Sequence, residues 1–199
     1  MNVGLTISYI IAGFLTLTIL TVSYNVGFSN QEVTTTNIKQ THSQAITQMV
    51  ISDIPKIGFS QKKILEDPIL TAKKHELSFI SDLENDGTVR TITWEYHPDI
   101  TPEHAQNPNK RLLTRTVDGT TSTLEIGVTT FSFRYYSSYG DTASMPMPVA
   151  SSDLEDIVQI EVLIELQSEY ELNYKPSDSG NYVATLWSKR FSPVNLRPN

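Results

Sequence analysis

No charged side chain occurs before Glu32, and residues 5–28 are nearly all apolar or small. A helix rises about 1.5 Å per residue, so roughly 20 such residues cross the hydrocarbon of a bilayer. Leu5, Ile7, Ile10, Ile11, Phe14, Leu15, Leu17, Ile19, Leu20 and Val22 supply that run, and the interspersed Ser and Thr hydroxyls can bond back to their own helix. A secretory signal is the competing reading. It requires a basic n-region and an apolar stretch of about 7–15 residues, whereas positions 1–4 carry no Lys or Arg. A retained, single-pass membrane anchor is therefore expected. Only Lys39 follows soon after it, so the positive-inside rule has little to act on. The acidic, β-rich remainder favours a C-terminal domain on the periplasmic or extracellular side of the cell (inner) membrane.

Residues 55–199 are enough for one domain with a real core. A net charge of −7 argues against a phosphate-binding surface. The basic residues fall in scattered pairs (Lys62 and Lys63, Lys73 and Lys74, Lys110 and Arg111), so nucleic acid is not an expected partner. The chain has no cysteine, which excludes disulfides, thiolate metal sites and a cysteine nucleophile.

Proline is absent before Pro55, and all ten prolines lie from there onward. One long helix followed by a different architecture is the direct implication. Val33, Ile38, Ala45, Ile46, Met49, Val50 and Ile54 recur at roughly helical spacing, so the helix is expected to continue beyond the bilayer with one stripe packed on the next domain. The β-branched run Thr34, Thr35, Thr36 predicts a kink or a short unwound turn where the chain leaves lipid.

Beyond position 64 the period changes to two. Leu77 and Phe79 alternate with Ser78, Ile80 closes the segment, Glu84-Asn85-Asp86-Gly87 supplies turn chemistry, and Arg90, Ile92, Trp94 and Tyr96 alternate out of it. A second hairpin is predicted over 112–116 and 123–126 around Asp118-Gly119, a strand at Phe131, Phe133 and Tyr135, and another at Ile160, Val162, Ile164 and Leu166. A last strand is predicted over 182–187, with loops at 97–110 and 137–152. The expected fold is α+β: a long N-terminal helix, with a membrane half (1–30) and an amphipathic half (31–54), packed on an antiparallel, twisted β-sheet domain (55–199).

Candidate chemistry is sparse. Asp82, Glu84 and Asp86 before Gly87 imitate the first half of a calcium loop, but Thr93 stands where the bidentate Glu belongs, so a hairpin turn is the preferred reading. His97, Asp99, Glu103 and His104 share a Pro-containing loop without the spacing that holds zinc. The aromatic alternation reads as the core face of a sheet before it reads as a ligand platform. Glu161, Glu165, Glu169 and Glu171 read as a solvated strand face, a guard on an exposed edge, or a steering surface for a basic partner. Ser8, Ala12 and Thr16, spaced by four, offer a candidate packing face between membrane helices. Neither a nucleophile elbow nor a glycine-rich phosphate loop occurs, so no enzyme and no cofactor are expected.

The succession of stretches resembles type IV pilins and type II secretion pseudopilins. Asp53-Ile54-Pro55-Lys56-Ile57-Gly58-Phe59 is similar to a D-I-x-x-x-G-F/Y stretch of the larger minor pilins and J-type minor pseudopilins. Asp82 to Gly87 followed by Ile92-Thr93-Trp94-Glu95-Tyr96 resembles their next hairpin. Leu113-Thr114-Arg115, Asp118-Gly119 and Gly127-Val128-Thr129-Thr130-Phe131-Ser132-Phe133-Arg134-Tyr135-Tyr136 resemble the block after it. The resemblance implies a structural subunit that meets other pilin-like subunits, the filament assembly machinery and a prepilin peptidase cutting between Gly4 and Leu5. The chain departs from the family pattern in its uncharged leader and in Tyr9, which stands where those proteins carry a Glu.

Overall fold

The computed structural model describes residues 3–62, 65–124, 127–171 and 182–196, without the side chains of 28 and 31–43. The described residues form one long helix, α1 (Val3–Asp53), and eight strands. The chain divides into two compact units, Met1–Ile38 and Lys39–Asn199.

In the first unit α1 is unbroken. The backbone remains helical through Thr34, Thr35 and Thr36, so the predicted unwound turn is absent. Each β-branched residue disfavours helix by only a few tenths of a kcal/mol, and breaking a long helix forfeits several cooperative bonds. The stripe positions Val33 and Ile38 lie outside the described side chains.

In the second unit α1 ends at Asp53, two residues before Pro55, which has no N–H to donate to the next α-helical bond. A 3₁₀ turn, Ile54–Lys56, follows. A five-stranded antiparallel meander comes next: β1 (Ile69–Ala72), β2 (Glu76–Ser81), β3 (Arg90–His97), β4 (Leu112–Val117) and β5 (Thr120–Leu124), in that spatial order. A separate three-stranded sheet contains β6 (Val128–Tyr136), β7 (Gln159–Gln167) and β8 (Ala184–Phe191).

The two predicted hairpins form as expected. Leu77 pairs with Trp94 and Phe79 with Ile92 in the first, and Asn85 and Gly87 take the positive φ values its turn requires. The second turns on Asp118 (φ 46°) and Gly119 (φ 81°), a two-residue loop whose twist suits antiparallel strands; its predicted end at Ile126 lies outside the described residues. Two features depart from the expectation. β1 has no counterpart among the predicted strands, and β8 begins at Ala184 and runs on to Phe191 through Lys189 and Arg190.

One core joins the two sheets and the end of α1. Ile46, Val50, Ile54 and Ile57 are fully buried, with Leu77, Phe79, Ile92, Trp94 and Leu113 from the meander. Phe131, Phe133 and Tyr135 of β6 and Ile160, Val162, Ile164 and Leu166 of β7 complete it. Trp94 stacks on Phe131 at 5.8 Å between ring centroids, and Phe133 meets Phe131 edge-on at 5.1 Å.

Candidate functional site

The apolar part of α1, Val3–Gly27, is long and apolar enough to cross a membrane. Its large side chains are exposed, Phe14 at 68% and Leu17 at 62%. Four of its hydroxyls bond within the helix: Ser8 donates to the Gly4 carbonyl at 3.0 Å, Thr16 to Ala12 at 2.9 Å, Thr18 to Phe14 at 2.8 Å and Thr21 to Leu17 at 2.9 Å. The segment thus presents few polar groups to a medium that offers no hydrogen bonds. Ser8, Ala12 and Thr16 are exposed on α1, as are Gly4 and Leu5. Met1 and Asn2 lie outside the described residues.

At the other end of α1 a buried polar knot closes the helix onto the meander. The Asp53 carboxylate, 4% exposed as a residue, accepts from the Trp94 indole N–H at 3.0 Å and from Arg115 Nε at 2.7 Å. A second guanidinium nitrogen of Arg115 donates to Asp53 Oδ1 at 3.2 Å. Trp94 and Arg115 are direct cross-strand partners in the β3–β4 register, and the guanidinium lies 5.9 Å from the indole centroid. A buried charge requires such pairing, because desolvating a lone carboxylate is costly.

The residues after Asp53 continue the attachment. Gly58, with φ +74°, donates its N–H to the Ile80 carbonyl at 3.1 Å, and Asp82 N–H bonds back to Phe59 at 2.8 Å. A β-carbon on Gly58 would sit 3.1 Å from Pro68 and Asn195 side chains, in a backbone geometry L-residues avoid. The Lys56 ammonium donates to the Leu83 carbonyl at 2.6 Å, and Ser81 Oγ to the Lys56 carbonyl at 2.6 Å.

The calcium candidates are occupied as turn residues. Asp82 is fully buried and accepts from the backbone N–H groups of Asp86 (3.1 Å) and Gly87 (2.9 Å). Glu84 and Asp86 flank Arg90 at 3.3 and 2.8 Å, and that guanidinium holds the Asp86 carboxyl well below the usual carboxylate range. His97 lies 3.7 Å from Glu95, while Asp99, Glu103 and His104 are solvent-facing. No group of three metal-capable side chains converges among the described residues.

Glu161 and Glu165 of the acidic row guard no edge, because β7 is the central strand of its sheet, and Glu169 and Glu171 lie beyond the strand's end. Glu161 accepts from the Tyr136 hydroxyl at 2.6 Å and from Ser188 at 3.1 Å, with Arg134 and Arg190 at 3.8 and 4.0 Å. Those hydrogen bonds lower its carboxyl. Glu169 pairs with the largely buried Lys110 at 2.6 Å and accepts from Gln106 N–H at 2.8 Å, fastening the 98–110 loop to the end of β7. The aromatics Phe131, Phe133 and Tyr135 are core, and burial pushes the Tyr135 hydroxyl well above its ordinary range.

An open cleft of about 530 Å³ lies against Lys74, His75, Tyr96, Met147 and Pro148. Among its lining residues, His75 has its Nδ1 3.0 Å from the Phe131 carbonyl and its ring 5.3 Å from that of Tyr96.

Asp53, Trp94 and Arg115 lie in three separate stretches of the sequence, and no local pattern joins them. The available signal was an acid at the end of the helical pattern together with a lone Arg at a core-facing strand position. No family model, curated protein or solved structure matches this chain.

Proposed function

We propose that this chain is a membrane-anchored structural subunit of the minor pilin or pseudopilin kind. Its N-terminal helix is held in the cell (inner) membrane, and its β-rich domain is displayed on the periplasmic or extracellular side. The observation that carries the reading is the buried Asp53–Arg115–Trp94 knot. It ties together the three stretches that resemble the larger minor pilins, at the point where the helix enters the core. Support also comes from the apolar, internally hydrogen-bonded Val3–Gly27 segment.

In this reading the helix docks laterally on helices of other pilin-like subunits, with Ser8, Ala12 and Thr16 as the close-packing face. Gly4 and Leu5 flank the peptidase cut. The work is assembly, and neither turnover nor a cofactor enters it.

The second reading is a tethered extracytoplasmic binding module that never polymerises. Tyr9 favours it, standing where filament-forming relatives of this kind carry Glu, and so does the open cleft beside His75 and Tyr96. Mechanical shearing of cells that express the full chain separates the two. A filament subunit is recovered with sheared surface fibres together with other pilin-like chains. Exclusive retention in the membrane fraction contradicts assembly and leaves the tethered module.

A further inference from the structure

The sheets have four outer edges, and three are protected. At β1 the Ala72 carbonyl accepts from Val149 N–H at 2.9 Å. Along β6, Phe133 N–H donates to Lys74 at 2.8 Å, and the Val128 and Tyr135 carbonyls accept from Arg111 and Met145 at 2.8 Å each. β8 carries Lys189 and Arg190, the latter bonded to the Asp141 carbonyl at 2.7 Å. Charge and coverage are the devices by which proteins keep sheet edges from pairing.

β5 has neither. Thr120, Thr121, Ser122 and Thr123 are exposed, and the strand contains no charge and no proline. Among the described residues no backbone bond reaches its outer side. Its two-residue loop makes Val117 and Thr120 a hydrogen-bonded pair, so Thr120, Ser122 and Leu124 turn their backbone groups toward β4. Thr121 and Thr123 therefore turn theirs outward.

We propose that β5 is the docking edge for a second copy of this chain, pairing antiparallel with the same strand of that copy about Ser122. In that register Thr121 and Thr123 of one copy exchange backbone hydrogen bonds with Thr123 and Thr121 of the other. The two Ser122 residues face each other as a close, non-hydrogen-bonded pair. Charge permits this occupant, and the hydroxyl pattern favours it. Copies with a net charge of −7 repel one another, and β5 is a strip where they meet with no charged side chain in the strand. Chemistry continues across the junction as well. Thr71, Ser78, Thr93, Thr116 and Thr121 already form a hydroxyl row across all five strands, with bonds of 2.9 Å (Ser78–Thr93) and 2.8 Å (Thr116–Thr121). Thr123 and Thr114 of the second copy extend it. Paired five-residue strands bury far less than the ~1,200 Å² of a stable complex, so pairing depends on the local concentration that a shared membrane provides. The inference goes beyond the subunit reading and stands on sheet geometry.

The chain lacks cysteine, so a single thiol reports the contact. The full chain bearing Ser122→Cys, reconstituted in phosphatidylcholine vesicles and mildly oxidised, is expected to give disulfide dimer at about tenfold the yield of an exposed-loop control, Ser144→Cys. Adding Thr123→Pro removes an outward N–H without touching the β4 ladder. It is expected to abolish the cross-link while leaving the thermal melt unchanged. Cross-linking no better than the Ser144→Cys control, cross-linking undiminished by Thr123→Pro, or capture of a different protein in native membranes in place of the second copy would each overturn the proposal.

Discussion

The two ends of α1 are built from the same kinds of apolar side chain and treat them in opposite ways. Near the start, Leu5, Ile11, Phe14 and Leu17 leave more than half of their surface uncovered, at 55, 54, 68 and 62% exposure. Near the end, Ile46 and Val50 are both at 0%, and Ile54, one residue past it, is at 1%. Apolar surface in water costs about 25 cal/mol per Å² whichever end carries it. The second end is relieved by the sheets, and the first is relieved only by a partner or a lipid phase. The polar groups follow the same division. At the start, hydroxyls bond to their own helix, which suits any apolar surround. At the end, Asp53 reaches across to Trp94 and Arg115, which suits one specific neighbour.

The sharpest way to break the comparison is Arg115→Ala, which leaves Asp53 buried without its cation. Truncating one partner of a buried pair destabilises by about 3–5 kcal/mol. Urea unfolding of the β domain is expected to show that loss, while the double variant Asp53→Leu with Arg115→Met recovers most of it. An unchanged midpoint for Arg115→Ala would mean that the knot is decorative.

Next in size is the contrast between matched truncations. Ile54→Ala opens a cavity in the core and is expected to cost about 2–5 kcal/mol. Ile11→Ala removes the same atoms from an exposed position, and the domain melt is expected to shift by less than about 0.5 kcal/mol. Equal effects would erase the distinction between the two ends.

Asp82→Ala tests the attachment that follows the helix. It strips an acceptor from two backbone N–H groups, and a loss of about 1–2 kcal/mol is expected in the same unfolding assay.

The smallest effect is acid sensitivity. Asp86 is lowered chiefly by its hydrogen bond with Arg90, and Glu161 by that from Tyr136. Both carboxyls are more acidic folded than unfolded, so the unfolded chain takes up protons first. Their contribution is complete above the unfolded values near pH 4 and is lost as pH falls toward the folded ones. Asp86→Asn with Glu161→Gln is expected to flatten the slope of melting temperature against pH below about 4.

Much of the local grammar was legible. The hairpins at 77–96 and 112–124 followed from Asn-Asp-Gly and Asp-Gly between alternating runs, and β7 followed from a strict period of two. β1 was not legible, because Ile69-Leu70-Thr71-Ala72 is short, has no alternation and is bulged between Ile69 and Thr71. The separation into two sheets escaped for a different reason. Which strand neighbours which is a long-range outcome that no local period encodes, and it places the acidic β7 at the centre of its sheet instead of at an edge. Thr34, Thr35 and Thr36 misled because propensity is a weak prior inside a long helix. The knot of Asp53, Trp94 and Arg115 spans 62 positions and became visible only when the strands were in register.

The most direct test of the anchored-subunit account is the intact mass and N-terminal sequence of the protein taken from its native membrane. The account predicts a chain that begins at Leu5 and keeps the whole apolar segment. A chain that begins beyond residue 28, or one recovered free of the membrane, would contradict it, since a removed signal would then explain the exposed half of α1.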